Sequence, residues 1–244
     1  WGWLAGPFID TWLKVNPGQT GFYRVRYSAD LLSLLMRAVA DKKLSATDSL
    51  GVLNDAFSLA RSGDLPTSSV LRMLPSYKHW KDYNVWLTVS GILGSVENLI
   101  EDKSLRDRSH RFAIELLGPV LGQCGWESQD KDAHSEILLR SLVIGRLGHF
   151  GDRSVVGEAR SRFARFASGL ELSPNLRGPV FGITAEHGGP DEWGSLKKLY
   201  QGTSLQEEKV RILRAMTRFQ DPGVIQEVLR FSLSEQVRAQ DAYA

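Results

Sequence analysis

The five histidines are the side chains that could most directly hold a catalytic metal. They are His79, His110, His134, His149 and His187. No two are four residues apart, so the chain lacks the His-x-x-x-His pair that presents two zinc ligands on one helix face. His149 and His187 each stand just before a glycine turn. At such a position we favour a helix-terminal histidine bonded to free carbonyls over a metal ligand or an acid–base group.

Nucleophiles and phosphate loops are also scarce. Cys124 is the only cysteine, and its sequence neighbours include no basic side chain that would activate it, so we expect a buried or loop thiol. The chain contains no Gly-x-Ser-x-Gly elbow and no glycine-rich loop followed by Lys-Ser or Lys-Thr. A single cysteine also excludes an internal disulfide framework and a multi-cysteine zinc site.

Three arginines form the most regular charged pattern. Arg211, Arg214 and Arg218 stand at i, i+3 and i+7, and therefore share one face of a predicted helix. They could form an electropositive wall for an anionic partner or a peptide carboxylate. The alternative, which we favour, is a solvated outer face that is balanced by Glu207 and Glu208 in the first turn of the same helix.

Four aromatic residues lie close together at Tyr77, Trp80, Tyr83 and Trp86. Such a cluster could form a ligand platform. Large aromatics more often fill a packed junction between helices, and we favour that interpretation.

The elements that must position these residues are mainly helical. Ser28 is predicted to cap one helix, and Ser45 with Asp48 predicts the capping box of another, which ends before Gly63. Apolar stripes at helical spacing continue to about residue 233, and the segment 137–147 is apolar enough to be buried nearly all round. The pattern predicts about ten helices with short connections, which favours a HEAT- or armadillo-like α-solenoid of antiparallel pairs. A compact helical bundle is the alternative architecture.

The first 27 residues have a different pattern. Residues 11–15 and 22–27 are predicted strands, and the turn-forming segment 16–21 lies between them, so we expect a β-hairpin. An isolated hairpin is marginally stable, so this one is expected to belong to a larger sheet outside the chain.

Composition excludes several classes of protein. The 244 residues are 42% hydrophobic and 24% charged, near the globular average, and no apolar run approaches the roughly 20 residues of a membrane helix. The net charge is only +2, which gives no reason to expect nucleic-acid or membrane binding.

Five segments carry a resemblance to a known family. They are Trp12-x-Lys14-x-Asn16-Pro17-Gly18-x-x-Gly21-Phe22-Tyr23-Arg24-Val25-x-Tyr27, Asp48–Gly63, Tyr83–Trp86, Leu138–Gly148 and Glu158–Phe163. In this order they resemble zinc aminopeptidases of the puromycin-sensitive aminopeptidase and aminopeptidase N family. The resemblance implies that residues 1–27 are the end of a β-sandwich domain. Residues 28–244 would be most of a C-terminal superhelical domain, truncated at its C-terminal end.

The resemblance implies that the chemistry lies elsewhere. In that family a His-Glu-x-x-His helix and a downstream Glu hold zinc, a Gly-x-Met-Glu-Asn segment holds the substrate amine, and a tyrosine stabilises the oxyanion. This chain has no His-Glu dipeptide. We therefore assign no catalytic, cofactor-binding or metal-binding residue to it, and expect the zinc ligands upstream.

The same resemblance implies a role in peptide access. The helical domain of such enzymes caps the active site, shapes the peptide channel and contacts the upstream catalytic and β-sandwich domains. The chain alone is expected to be inactive, and to self-associate if the truncation leaves an apolar end exposed. One cysteine and the lack of an Asn-x-Ser/Thr sequon favour a cytoplasmic location. A stand-alone solenoid that scaffolds protein partners is the alternative function.

Overall fold

The computed structural model describes residues 11–129 and 131–242, and its regular structure there is helical. The eleven α-helices of these residues are α1 (Ala29–Ala40), α2 (Ala46–Arg61), α3 (Thr67–Met73), α4 (Tyr83–Glu97), α5 (Lys103–Cys124), α6 (His134–His149), α7 (Arg153–Ala167), α8 (Pro174–Glu186), α9 (Pro190–Gly202), α10 (Gln206–Met216) and α11 (Pro222–Ser232). Short 3₁₀ helices occur at Pro17–Gln19, Leu74–Tyr77 and Ala239–Asp241. The all-helical class is confirmed.

The predicted helix starts are confirmed by their hydrogen bonds. The Ser28 side chain accepts a bond from the backbone N–H of Leu31, and α1 begins at the next residue. The Ser45 hydroxyl accepts the N–H of Asp48 at 3.0 Å and donates to its carboxylate at 2.9 Å. These side chains satisfy N–H groups that the first turn of a helix leaves without partners.

The predicted hairpin is not visible in the structure, since no residue of 11–27 is in a strand. Side chains replace the expected backbone ladder. The Tyr27 hydroxyl bonds to the backbone of Val15, and the buried Asn16 side chain closes the turn by bonding both the N–H and the carbonyl of Gly21. Two strands that have only each other to pair with lie near the limit of stability.

The described residues divide into two compact units, one ending at Arg106 and the other beginning at Asp107. In the first unit, α2 packs against α3, α4 and the turn at Pro17–Gln19. The amide of Gly18 donates to Asp48 at 2.7 Å, and the Arg24 guanidinium bonds the buried Asp55 carboxylate at 3.2 Å. These contacts attach the segment 14–24 to α2.

The aromatic cluster is a packed junction of the first unit. The buried Tyr77 hydroxyl donates to the carbonyl of Ser49 at 2.7 Å, and burial raises the pKa of this phenol above its usual range. The indole N–H of Trp80 donates to Val39, and that of Trp86 donates to the carbonyl of Trp80. These donors are satisfied inside the core, and the structural interpretation is confirmed for these three residues, whereas Tyr83 at the start of α4 is half-buried.

The second unit has the two-layer arrangement of stacked helix pairs. Helices α6, α8 and α10 pack side by side, α7 covers α6 and α8, and α9 covers α8 and α10. Phe231 of α11 packs edge-on against Trp193 and Tyr200 of α9. This alternation is typical of an α-solenoid. The prediction that 137–147 is buried nearly all round was too broad, because Leu138 is exposed and Leu142 lines a cavity.

Candidate functional site

A groove runs over α6, α8 and α10 in the second unit. It consists of two adjoining cavities of about 500 and 630 Å³, which share Gly178 and Arg218 in their walls. The side chains that line it are Ser141, Leu142, Gly145, Arg146, His149, Gly178, Pro179, Gly182, Glu186, Gln206, Glu207, Val210, Arg211, Arg214, Ala215, Thr217, Arg218 and Gln220. We call this set the arginine groove.

The floor of the arginine groove is made of small residues and an interrupted helix. Pro179 lies inside α8 and has no N–H to donate to the carbonyl of Asn175. The Ser141 hydroxyl of α6 donates to that carbonyl instead, at 2.6 Å. A Cβ at Gly178 would meet no atom within 4 Å, so a side chain there would project into open space. The backbone of α8 is therefore accessible from the groove.

Close packing between α6 and α8 fixes the separation of two groove walls. A Cβ at Gly148 of α6 would lie 2.3 Å from Cγ1 and 2.4 Å from Cδ1 of the buried Ile183 on α8. The carbonyl of Gly148 is also 2.8 Å from Nε2 of His187. This bond is the helix-terminal role expected for His187.

Glu186 connects the helices on one side of the groove. Its Oε1 lies 2.6 Å from Nδ1 of His149, and its Oε2 lies 3.5 Å from the Arg218 guanidinium. The His149 ring also packs against Phe150 and near His110. His149 thus pairs with a carboxylate on another helix, and His110 packs against the rings of His149 and Phe150.

The arginine stripe is only partly balanced. Arg211 pairs with both Glu207 and Glu208, as the solvated-face interpretation predicted. Arg218 pairs with Glu186 across to α8. The exposed guanidinium of Arg214 makes no ion pair with any residue of 11–129 or 131–242.

The charge of the groove is therefore positive. Four arginines, at 146, 211, 214 and 218, face it together with two glutamates, at 186 and 207. Both glutamates already have cationic partners. An arginine guanidinium offers a planar fork of donors that fits a carboxylate or phosphate, so the arrangement is suited to an anionic group.

Cys124, the only thiol of the sequence, is half-buried at the end of α5. The buried Arg140 guanidinium donates hydrogen bonds to the carbonyl of Cys124 and to the Asp132 carboxylate, the latter at 2.6 Å. A backbone N–H from Gln129, followed by Arg140, holds the pKa of Asp132 below its usual range. These contacts fasten the connection between α5 and α6.

Zinc does not fit the part of the chain that the structure describes. No group of three or more His, Cys, Asp and Glu residues in 11–129 and 131–242 is arranged to hold a metal ion. Within the same ranges no helix has the length and apolar character needed to span a bilayer.

The groove floor was not predicted from the sequence. Ser141 and Glu186 act through partners 32 to 37 residues away, so no local motif marks them. The signal that could have found the floor is Gly178-Pro179 within an apolar helical pattern, because proline inside a helix leaves a carbonyl for another donor.

Fold and groove together define an all-helical repeat domain with an anion-compatible groove, and comparison with known proteins gives its family. Residues 12–244 match the family model described as ERAP1-like C-terminal domain. The chain belongs to this family.

Individual relatives agree with that assignment. Aminopeptidase M1-A of Oryza sativa subsp. japonica is 33% identical over 241 residues, which cover 96% of this chain and 27% of the rice protein. Aminopeptidase 2 of Candida albicans is 31% identical over 97% of this chain and 26% of its own length. The puromycin-sensitive aminopeptidase of Caenorhabditis elegans is 25% identical over 98% and 26%. The chain spans about a quarter of the length of these relatives.

Proposed function

We propose that this chain is the C-terminal helical domain of a zinc metalloaminopeptidase that removes N-terminal residues from peptides. In this proposal the chain supplies no catalytic, cofactor-binding or metal-binding residue. Its arginine groove receives an anionic part of the peptide, away from the bond that is cleaved. The family match over residues 12–244 supports the first part of the proposal. The groove role rests on Arg214, which has no ion-pair partner among the described residues and lies in the same cavity as the open Gly178.

The groove chemistry suits an extended peptide. Gly178 leaves room for a peptide backbone to approach α8, whereas Arg218 lies over the buried Gly182, 3.3 Å from the position of a Cβ. A carboxylate of the peptide would pair with Arg214, which has no intramolecular competitor among the described residues. Arg218 would contribute a second cation, because its bond to Glu186 is long at 3.5 Å.

Positioning of this kind controls rate without supplying chemistry. Holding one end of a peptide lowers the entropic cost of placing its other end against a catalytic centre. Zinc bound in the upstream catalytic domain would supply Lewis acidity and an activated water there. The proposal has further parts. It includes upstream catalytic and β-sandwich domains in the same protein, a domain boundary between residues 27 and 28, peptide substrates and a cytoplasmic location.

Fluorescence anisotropy tests the groove directly. A fluorescent nonapeptide with two C-terminal Asp residues is titrated with the chain, beside a matched peptide that carries Asn and a C-terminal amide. We expect the acidic peptide to bind more tightly, and added salt to weaken only that binding, because the groove is exposed to solvent.

Two substitutions locate the binding. Arg214→Gln should weaken binding of the acidic peptide about two- to fivefold, the size expected for one exposed ion pair. Binding of the amide peptide should stay unchanged. Arg153→Gln removes an exposed arginine from α7, outside the groove lining, and should change neither. Equal binding of both peptides to the wild-type chain and to Arg214→Gln would refute the role of the groove.

A further inference from the structure

The larger cavity of the arginine groove carries more positive charge than one carboxylate neutralises. The charged side chains that line this cavity of about 630 Å³ are Arg211, Arg214, Arg218 and Glu207. Three arginines and one glutamate leave two positive charges. A peptide carboxylate brings one negative charge, whereas a phosphate monoester brings about 1.5 to 2 at neutral pH, spread over three acceptor oxygens.

Two of these three arginines are available to a ligand. Arg211 is held by Glu207 at 3.1 Å on its own helix. Arg214 is exposed and makes no ion pair among the described residues. Arg218 contacts Glu186 only at 3.5 Å. A group that enters this cavity therefore meets two guanidinium groups that are not committed to a close partner.

The packing of Arg218 on α8 brings both guanidinium groups to the same cavity. Arg218 follows the end of α10, and its Nε lies 3.3 Å from the position that a Cβ would take at Gly182. Because Gly182 has no side chain, this guanidinium can lie against α8. Arg214, in the last turn of α10, and the open Gly178 line the same cavity. The space beside Gly178 leaves room for a tetrahedral group.

Glu186 keeps a partner when Arg218 turns to a ligand. The Arg218 contact uses Oε2 of Glu186, whereas Oε1 lies 2.6 Å from Nδ1 of His149. A carboxylate left without any partner would make the release of Arg218 costly. The contact with His149 avoids that cost, so Arg218 can be shared with an anion in the groove.

We propose that the arginine groove selects phosphorylated peptides, with the phosphate monoester held jointly by Arg214 and Arg218. Two planar forks of donors bond the three free oxygens of a phosphate, whereas a carboxylate offers two oxygens and occupies one fork. This inference rests on the proposed function, because it names the class of peptide that the same groove prefers. The groove extends into a second cavity beyond the phosphate site, which favours a peptide over a free phosphorylated metabolite.

Fluorescence anisotropy with peptides of matched charge tests this preference. Three nonapeptides share one sequence and a C-terminal amide, and differ at two adjacent positions, which are phosphoserine-Asn, Asp-Asp or Asn-Asn. We expect the phosphopeptide to bind about three- to tenfold more tightly than the Asp-Asp peptide, because its charge is concentrated on one group that two arginines reach.

The three peptides separate this inference from the proposed function. A phosphopeptide that binds no more tightly than the Asp-Asp peptide overturns the inference. The proposed function still stands in that case if the Asp-Asp peptide binds more tightly than the Asn-Asn peptide. Equal binding of all three peptides overturns both.

Substitution of Arg218 tests the second guanidinium. Arg218→Gln should weaken binding of the phosphopeptide about two- to fivefold more than binding of the Asp-Asp peptide. Arg218→Lys keeps the charge but loses the planar fork, so it should recover only part of the difference. Arg153→Gln, on α7 and outside the groove lining, should change neither affinity. Equal weakening of both peptides by Arg218→Gln overturns the joint role of the two arginines. Circular dichroism of each variant, compared with wild type, verifies the fold.

Free O-phosphoserine tests whether the ligand is a peptide. As a competitor, it should displace the labelled phosphopeptide only at a concentration at least about tenfold above the Kd of that peptide, because it lacks the contacts of a peptide along the groove. Displacement at a concentration close to that Kd would show that the phosphate group is sufficient, and would overturn the assignment to peptides.

Discussion

The contact between Gly148 and Ile183 gives a prediction whose sign can be worked out from the structure. In Gly148→Ala the new Cβ would lie 2.3 Å from Cγ1 of Ile183, which is completely buried and has no solvent to move into. Overpacking of this kind costs about 1–3 kcal/mol. The gain in helix propensity is at most about 1 kcal/mol, and less near the end of α6. We therefore expect a net loss of about 1–2 kcal/mol in the free energy of unfolding.

Gly157→Ala is the matched control, because it makes the same chemical change in another helix. Gly157 lies on the exposed side of α7, and a Cβ there would meet no atom within 4 Å. This variant should gain about 0.5–1 kcal/mol from helix propensity alone. Urea unfolding followed by far-UV circular dichroism measures both variants.

A second substitution verifies the cause of the loss. Ile183→Val removes Cδ1, one of the two atoms that Cβ of Gly148→Ala would strike. In a double-mutant cycle, the two changes together should cost less than the sum of their separate costs. If Gly148→Ala and Gly157→Ala stabilise the chain equally, α6 and α8 are not packed as closely as described. That result would contradict the inference that this packing fixes the separation of the groove walls.

Two further predictions concern ion pairs. Arg24→Met leaves the Asp55 carboxylate, 1% exposed, without its cation, and should cost about 1–2 kcal/mol in urea unfolding, since the 57% exposure of Arg24 admits water. Arg26→Met, an exposed neighbour, should have little effect, and equal losses in both would contradict the pairing. For Asp132, a backbone N–H and then Arg140 hold the folded-state pKa below the unfolded value. Its contribution to stability is therefore complete at neutral pH and is lost as the pH falls below about 4. Asp132→Asn should lower stability at pH 7 and reduce its dependence on acid pH, and an unchanged pH profile would contradict this reasoning.

Local signals in the sequence were sufficient to predict helix ends and part of the core. Ser28 and the Ser45–Asp48 pair marked helix starts, because a capping hydrogen bond joins residues three apart and is visible in the sequence. Gly63 marked the end of α2, where its φ of +85° is unfavourable for other residues. Buried aromatic residues at 77, 80 and 86 were correctly assigned to packing, since large apolar side chains need cover.

Ion pairs between residues far apart in the chain could not be predicted from the sequence. The balance of the arginine stripe was correctly anticipated for Arg211, whose partners are three and four residues away. It was not anticipated for Arg218, whose partner Glu186 lies on another helix. Arg214 has no ion-pair partner within 11–129 and 131–242, and only the packing of α8 beside α10 shows that it faces a groove.

The segment 11–27 shows a different limit. Alternating residues there favoured strands, but a strand needs a paired neighbour and a covered face. Phe22 is fully exposed in this structure, while Arg24 and Gly18 are attached to α2 by polar contacts. Side-chain hydrogen bonds then outweigh the local preference for strand.

We propose that this chain is part of an aminopeptidase and carries none of its catalytic groups. The most direct test is hydrolysis of a fluorogenic aminoacyl substrate by the purified chain, with bound zinc measured in the same gel-filtration fractions. The account predicts no turnover and no stoichiometric zinc, whether or not zinc is added. Turnover that follows the 27.2 kDa chain through the column, rises with bound zinc and disappears with a chelator would contradict it.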